Sequence, residues 1–370
     1  MNAIQQIFQQ HGAAYCATHA VSEQQRKVIA AISHCRTSAL GMMHFHCGDC
    51  VYSELAPRSC GNRHCPVCDG VKGAHWLHKQ LGKRLPTRYF LLTFTIPSEL
   101  RPLALYRSDI VYDLMMKSVA NTLKDIGANP RHLGADRLGF TAVLHTWGRQ
   151  LQYHPHVHVV VPAGGLSEDG DLWRASSPTF FLPDRVLSRR FRTLMINGLE
   201  KSEVADQVPR NLCSKDWVVD TKAGDGVNAL KYLARYVFRV AVTADRIESV
   251  TDTQLLVRYR KVGSKRTRRL PLTIDEFIRR YLLHVLPAGF VKVRHYGFMH
   301  PNSSVSVDTV RELIEDECDT QDLVEVADAD VDIPPPPCCP HCNKPMTAKM
   351  LSSGVPSIRQ LADGLPRKAG

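Results

Sequence analysis

Six cysteines fall within residues 35–68, in a stretch too poor in aliphatic side chains to build a hydrophobic core of its own. Such a segment reads as a module nucleated by metal. Cys47-x-x-Cys50 and Cys65-x-x-Cys68 are two thiol pairs, each able to turn two sulfurs toward one ion. Two pairs together make a tetrahedral zinc site. Cys35, His46, Cys60 and His64 add four further ligand types in the same stretch and admit a second zinc. Spacing alone leaves the partition between one ion and two open. Unliganded structural thiols are the plainer reading, but they rarely repeat this spacing. The N-terminus has no basic start followed by an apolar run, so a cytoplasmic location is expected, where thiols stay reduced and clustered cysteines point to metal. A third group, Cys338, Cys339, His341 and Cys342, has one pair and no second pair nearby. A labile zinc knuckle is one reading of it, and a disordered tail is the better one.

The 370 residues suggest two or three domains. No window reaches the ~18 uncharged apolar residues of a membrane span. Lys and Arg number 47 against 36 acids, a net charge of +11, which favours a polyanionic partner, nucleic acid foremost. Residues 1–34 read as amphipathic helices and 71–86 as another. Tyr89 to Ile96, Phe140 to Trp147 and His156 to Val161 are β-rich runs. Only Gly148 to Pro155 separate the last two, so they should form an antiparallel hairpin. Helical spacing covers 103–126, 184–200, 228–238 and 273–286, the last capped by Thr273. Short strands are expected at 217–220 and 255–262. The fold class is therefore α+β, with an expected division into 1–86 (zinc module), 87–300 (main domain) and 301–370 (tail). Asp308 to Asp332 holds eleven acids and one base, and Pro334 to Pro337 follow, the composition of a flexible linker.

His156 and His158 flank Val157 on the third strand, so both imidazoles face one way. Seventeen histidines will produce one such pair by chance fairly often, and satisfied buried histidines are the bland alternative. The hairpin strengthens the metal reading. If it centres near Gln150 and Leu151, His145 comes opposite the pair as a third ligand for a divalent cation. His154 is the rival, but Pro155 sets it in the loop. Tyr232 and Tyr236 lie four apart on a helix and share a face, with Arg235 and Arg239 in the adjacent row. Two core aromatics would look the same. With a cation beside them, the phenols become candidate nucleophiles toward phosphate. From Val257 to Leu270 come seven bases and no acid: Arg258, Arg260, Lys261, Lys265, Arg266, Arg268 and Arg269. A hairpin with this basic tip could track phosphates, and Arg58, Arg63 and Lys72 could add contacts near the cysteines.

Taken together, these stretches resemble the two-tyrosine HUH transposases of the IS91 insertion-sequence family. The resemblance is carried by His34–Leu40, Ser59–Cys68, Tyr89–Leu100, Leu144–Gly148, His154–Gly165, Tyr232–Val240 and Arg279–Gly297, spanning about residues 30–300. It implies a single-strand DNA endonuclease and strand transferase working by a rolling-circle route. The implied fold is a central antiparallel sheet flanked by helices, the paired histidines on a middle strand. His156 and His158 match the histidine pair, Tyr232 and Tyr236 the nucleophiles, and His145 the position of a third histidine seen in related relaxases. Magnesium or manganese is implied at the histidines, with zinc in the N-terminal module. Single-stranded DNA, as element ends and target, is the implied partner. Asp220 and Asp225 are further candidates beside the metal. A plasmid replication initiator or relaxase with the same chemistry, or a non-catalytic zinc DNA-binding protein, are the competing readings.

Overall fold

The computed structural model describes residues 2–237, 242–261, 263–317, 324, 337–351 and 354–368. Helices α1 (Ala3–Thr18) and α2 (Glu23–Ser33) open the chain, started by Asn2 and by a Ser22–Gln25 capping box. Strands β1 (Met42–Cys47) and β2 (Ser53–Pro57) form a hairpin inside the cysteine block, and α3 (Asp69–Leu81) follows. Then come β3 (Tyr89–Thr95), α4 (Arg101–Tyr106), α5 (Ser108–Gly127), and the hairpin of β4 (Phe140–Trp147) and β5 (Tyr153–Pro162). A short ribbon of β6 (Gly164–Leu166) and β7 (Trp173–Ala175) leads to α6 (Asp184–Glu200), β8 (Val218–Gly224) and α7 (Gly226–Val237). Strands β9 (Ile247–Val250), β10 (Gln254–Arg260) and β11 (Thr267–Thr273) make a basic three-stranded sheet before α8 (Ile274–Leu282). Thr273 caps α8 by accepting from the Glu276 amide. The chain ends with β12 (Val293–Tyr296), α9 (Val307–Glu317), β13 (Met346–Leu351) and α10 (Ile358–Asp363).

The centre is a five-stranded antiparallel sheet, ordered β12-β4-β5-β3-β8. One face presents Phe90, Leu92, Phe94, Val157, Val159 and Val161 to the largest core, which α5 and α6 complete. The other face carries Tyr89, Val143 and Val160, packed against Leu81 of α3 and Ala229, Leu230 and Leu233 of α7. Burial on both sides explains why β5 reads as an unbroken valine run. His145, His156 and His158 share the second face, because they alternate in step with Val143 and Val160. Gly297 closes the sheet edge at φ +55°, where any Cβ would collide with the Leu138 carbonyl oxygen.

The C-terminal region departs from the expected tail. Residues 307–317 form a helix whose Val310 and Ile314 are buried against Leu85 and Phe298. Strand β13 pairs with β1 from Met42↔Leu351 to Cys47↔Met346. Helix α10 rests on α2, where buried Arg26 donates to the carbonyls of Ala362 at 3.0 Å and Pro366 at 2.7 Å. The partners of β13 and α10 come from the opposite end of the chain, which local composition does not show. Residues 318–323 and 325–336, which hold most of the expected linker, lie outside the described residues.

Candidate functional site

The β4–β5 hairpin turns over Gly148–Gln152, with Leu151 left-handed at φ +61° and its amide donating to the Gly148 carbonyl. That turn sets His145 directly opposite His156. The Nδ1 of His145 lies 3.3 Å from the Nε2 of His156, which in turn lies 3.1 Å from the Nε2 of His158. Nitrogens this close repel as bare lone pairs and need a shared cation or proton between them. On His156 and His158 the other ring nitrogen is tied down. His156 Nδ1 donates to the His154 carbonyl at 2.7 Å, and His158 Nδ1 is hydrogen-bonded to the Thr93 hydroxyl at 3.0 Å. Such partners fix the tautomer and aim the remaining nitrogen. Burial pushes all three imidazoles down, His156 to about 4 and the other two well below the ordinary histidine value. They are neutral at pH 7, the form in which imidazole binds metal. The three form one group able to hold an ion. His154 belongs to β5 rather than to a loop, and contributes its carbonyl, not its ring.

Helix α7 crosses this face and delivers Tyr232. Its ring meets the His158 ring edge-on, with centroids 5.6 Å apart and planes at 84°. A cavity of about 650 Å³ opens there, lined by the three histidines and Tyr232 together with Arg149, Arg246, Arg260 and Lys261. Tyr236 falls one turn further along α7. Its side chain, that of Arg235, and the whole of Arg239 lie outside the described residues. The basic run forms the expected hairpin, with Arg258 opposite Arg269 and Arg260 opposite Thr267. Arg260 reaches the cavity rim; Lys265 and Arg266 are exposed at the tip and Arg268 is exposed on β11. Arg269 is instead engaged by Glu248 at 2.6 Å, and Arg258 by the Asp245 carbonyl. Asp220 stands opposite Thr93 but pairs with Lys222 at 3.2 Å, while Asp225 caps α7 through the Asn228 amide.

Sequence reasoning missed several residues here. Trp147 stacks on His145 at 4.7 Å, and the Lys292 ammonium sits 5.0 Å over the Trp147 ring. Arg246 donates to the Arg149 carbonyl at 2.6 Å and to the Arg258 carbonyl at 2.9 Å, tying the basic sheet to the histidine hairpin. Strand parity could have found Thr93, which lies on the histidine face; nothing local points to Arg246.

The cysteines regroup. Cys35, Cys60, Cys65 and Cys68 form one four-sulfur set, and Cys47, Cys50, Cys339 and Cys342 another. The two Cys-x-x-Cys pairs therefore do not share an ion, contrary to expectation. Cys35 and Cys65 are anchored in the core of α1, α2 and α8, whereas Cys47 lies at the end of β1. His46 and His64 stand outside both sets, since each already has four sulfurs. His46 is exposed beside Thr347. His64 is buried, accepts the Leu286 amide at 3.1 Å, and is pushed down to about 3 by burial. In the first set, Cys68 lies 3.5 Å from Cys35 and 3.6 Å from Cys60, sulfur to sulfur. Four thiolates so placed fit structural zinc.

Comparison with known proteins places the chain in a class. A family described as "Transposase zinc-binding domain" matches residues 7–96, and one described as "Putative transposase" matches 139–306. The putative transposase y4qJ of Sinorhizobium fredii is 42% identical over 316 residues, covering 79% of each chain. The transposase for insertion sequence element IS801 of Pseudomonas savastanoi pv. phaseolicola is 28% identical over 287 residues, 72% of this chain and 68% of the relative. No solved structure matches. These matches make the chain a transposase with a zinc-binding domain. The chain belongs to the IS91 family of transposases. No helix among the described residues is long and apolar enough to cross a membrane.

Proposed function

We propose that this transposase nicks and transfers single-stranded DNA by a rolling-circle route, as an HUH enzyme with Tyr232 as a nucleophile. The observation that carries the reading is the edge-on meeting of Tyr232 with His158 inside a cavity rimmed by arginines. His145, His156 and His158 would hold magnesium or manganese, which when bound supplies positive charge to the scissile phosphate. Arg149, Arg246, Arg260 and Lys261 neutralise the neighbouring phosphates and hold the strand in the cavity. The Tyr232 Oη attacks phosphorus, forming a new P–O bond as the bond to the 3′ oxygen breaks. The phenol proton passes to solvent, and the departing oxygen takes one up to become a 3′-hydroxyl. The 5′-phosphotyrosine ester retains the phosphodiester's energy, so rejoining needs no ATP. Tyr236, one turn away, is the second nucleophile and accepts another strand while Tyr232 stays loaded. Element ends and target DNA are the partners.

The test is a denaturing gel of the protein with its element-end strand, labelled on the 3′ side of the nick. A covalent adduct forms with magnesium or manganese, and Tyr232→Phe combined with Tyr236→Phe removes it. Adducts that survive the double substitution overturn the nucleophile assignment.

A further inference from the structure

The second cysteine set is the feature the reaction leaves unused. Its members come from opposite ends of the chain: Cys50 and Cys339 are 289 residues apart. The sulfurs of Cys47 and Cys342 lie 3.4 Å apart, those of Cys50 and Cys339 3.4 Å, and those of Cys50 and Cys342 3.9 Å. A tetrahedral ion with Zn–S bonds of about 2.3 Å requires sulfur–sulfur edges of about 3.8 Å. A disulfide would bring two sulfurs to about 2.05 Å. The spacing is therefore that of a shared ion.

Both halves of the set are shaped for this. The Cys47 amide donates to the Tyr52 carbonyl at 3.0 Å, closing one turn around Cys47 and Cys50. The Cys339 amide donates to the Lys344 carbonyl at 2.8 Å, and the Cys339 carbonyl accepts from the Asn343 amide at 2.8 Å. Asn343 is left-handed at φ +57°, which lets the chain reverse just past Cys342. The two turns face each other across the β1–β13 pairing. The apolar packing beneath them is small: buried Cys47, Cys339 and Met346, with Phe45, Cys50 and Tyr52 at the edge.

We propose that Cys47, Cys50, Cys339 and Cys342 form a second structural zinc site that clasps the C-terminal segment onto the N-terminal module, giving two zinc ions per chain. Cys339 and Cys342 lie outside both family matches, which end at residues 96 and 306. The clasp makes β13 part of the N-terminal module, so the two ends of the chain are fastened to each other. Its sulfurs are also the more accessible. Each set buries two sulfurs, Cys47 and Cys339 here and Cys35 and Cys65 in the first, but Cys342 is exposed where the remaining first-set members, Cys60 and Cys68, are both half-buried. The clasp ion should leave first when a chelator competes.

Native mass spectrometry of the purified full-length chain reads the stoichiometry directly. The parent should carry two zinc ions, released to a chelating dye in two phases of unequal rate. Cys339→Ser with Cys342→Ser should carry one ion and lose the faster phase. Cys339→His with Cys342→His keeps four ligands and should retain both ions, which guards against simple misfolding of the serine variant. A parent holding a single ion, or a serine variant holding two, overturns the proposal. Neither outcome depends on whether the tyrosines cut DNA.

Discussion

Thr93→Val isolates the support beneath the histidine cluster. The substitution keeps a β-branched residue on β3 and deletes only the hydroxyl that bonds His158 Nδ1 at 3.0 Å. Without it, His158 Nδ1 loses the partner that sets its tautomer and aims Nε2. Losing such an outer partner typically weakens metal binding about 10–100-fold, equivalent to about 1.4–2.7 kcal/mol. Thr93 is half-buried rather than sealed. Water can partly replace its hydroxyl, which puts the expected loss near the lower end, about tenfold. The fold should survive, since a single neutral hydrogen bond contributes about 1 kcal/mol. Titrating Mn2+ into the zinc-loaded protein, with the free ion followed by electron paramagnetic resonance, gives the dissociation constant. Thr93→Ser retains the hydroxyl and should bind within about a factor of two of the parent. If Thr93→Val binds Mn2+ as tightly as the parent, the hydroxyl does not position His158 and the argument fails.

Two further outcomes follow from the same surroundings. Burial holds His284 at about 4, below the ordinary value of about 6.5, with its ring fastened to the Thr146 hydroxyl and the Leu151 carbonyl. A depressed histidine contributes stability that is complete above the unfolded value and is lost as pH falls from about 6.5 toward about 4; at pH 5 the loss is about 2 kcal/mol. Urea unfolding at pH 7 and pH 5 should show it, and His284→Asn should remove that share; equal pH sensitivity in the variant would contradict the assignment. Along the basic hairpin, Arg260 faces the cavity while Arg269 is held by Glu248. Anisotropy with single-stranded DNA over a salt series should therefore lose about 0.7 of log–log slope in Arg260→Ala and little in Arg269→Ala. Equal losses would mean the ion pair opens on binding.

Local periodicity carries its information within a few residues, and that part of the protein was legible. The alternation of β4 and β5 and the length between them set the hairpin centre, and so put His145 across from His156. The four-residue spacing in α7 placed Tyr232 and Tyr236 on one helix. The Thr273 cap was visible for the same reason. What tertiary structure decided is everything that joins distant segments. Two Cys-x-x-Cys pairs look like natural partners in a linear reading, yet each completes its set elsewhere, Cys65 and Cys68 with Cys35 and Cys60, Cys47 and Cys50 with Cys339 and Cys342. Spacing encodes which sulfurs can share a turn; only packing encodes which turns meet. The approach of Tyr232 to His158 likewise depends on α7 lying across the sheet against Val143 and Val160. The pairing of Arg269 with Glu248 depends on β9 joining the basic hairpin, and no run of charges along the chain specifies that.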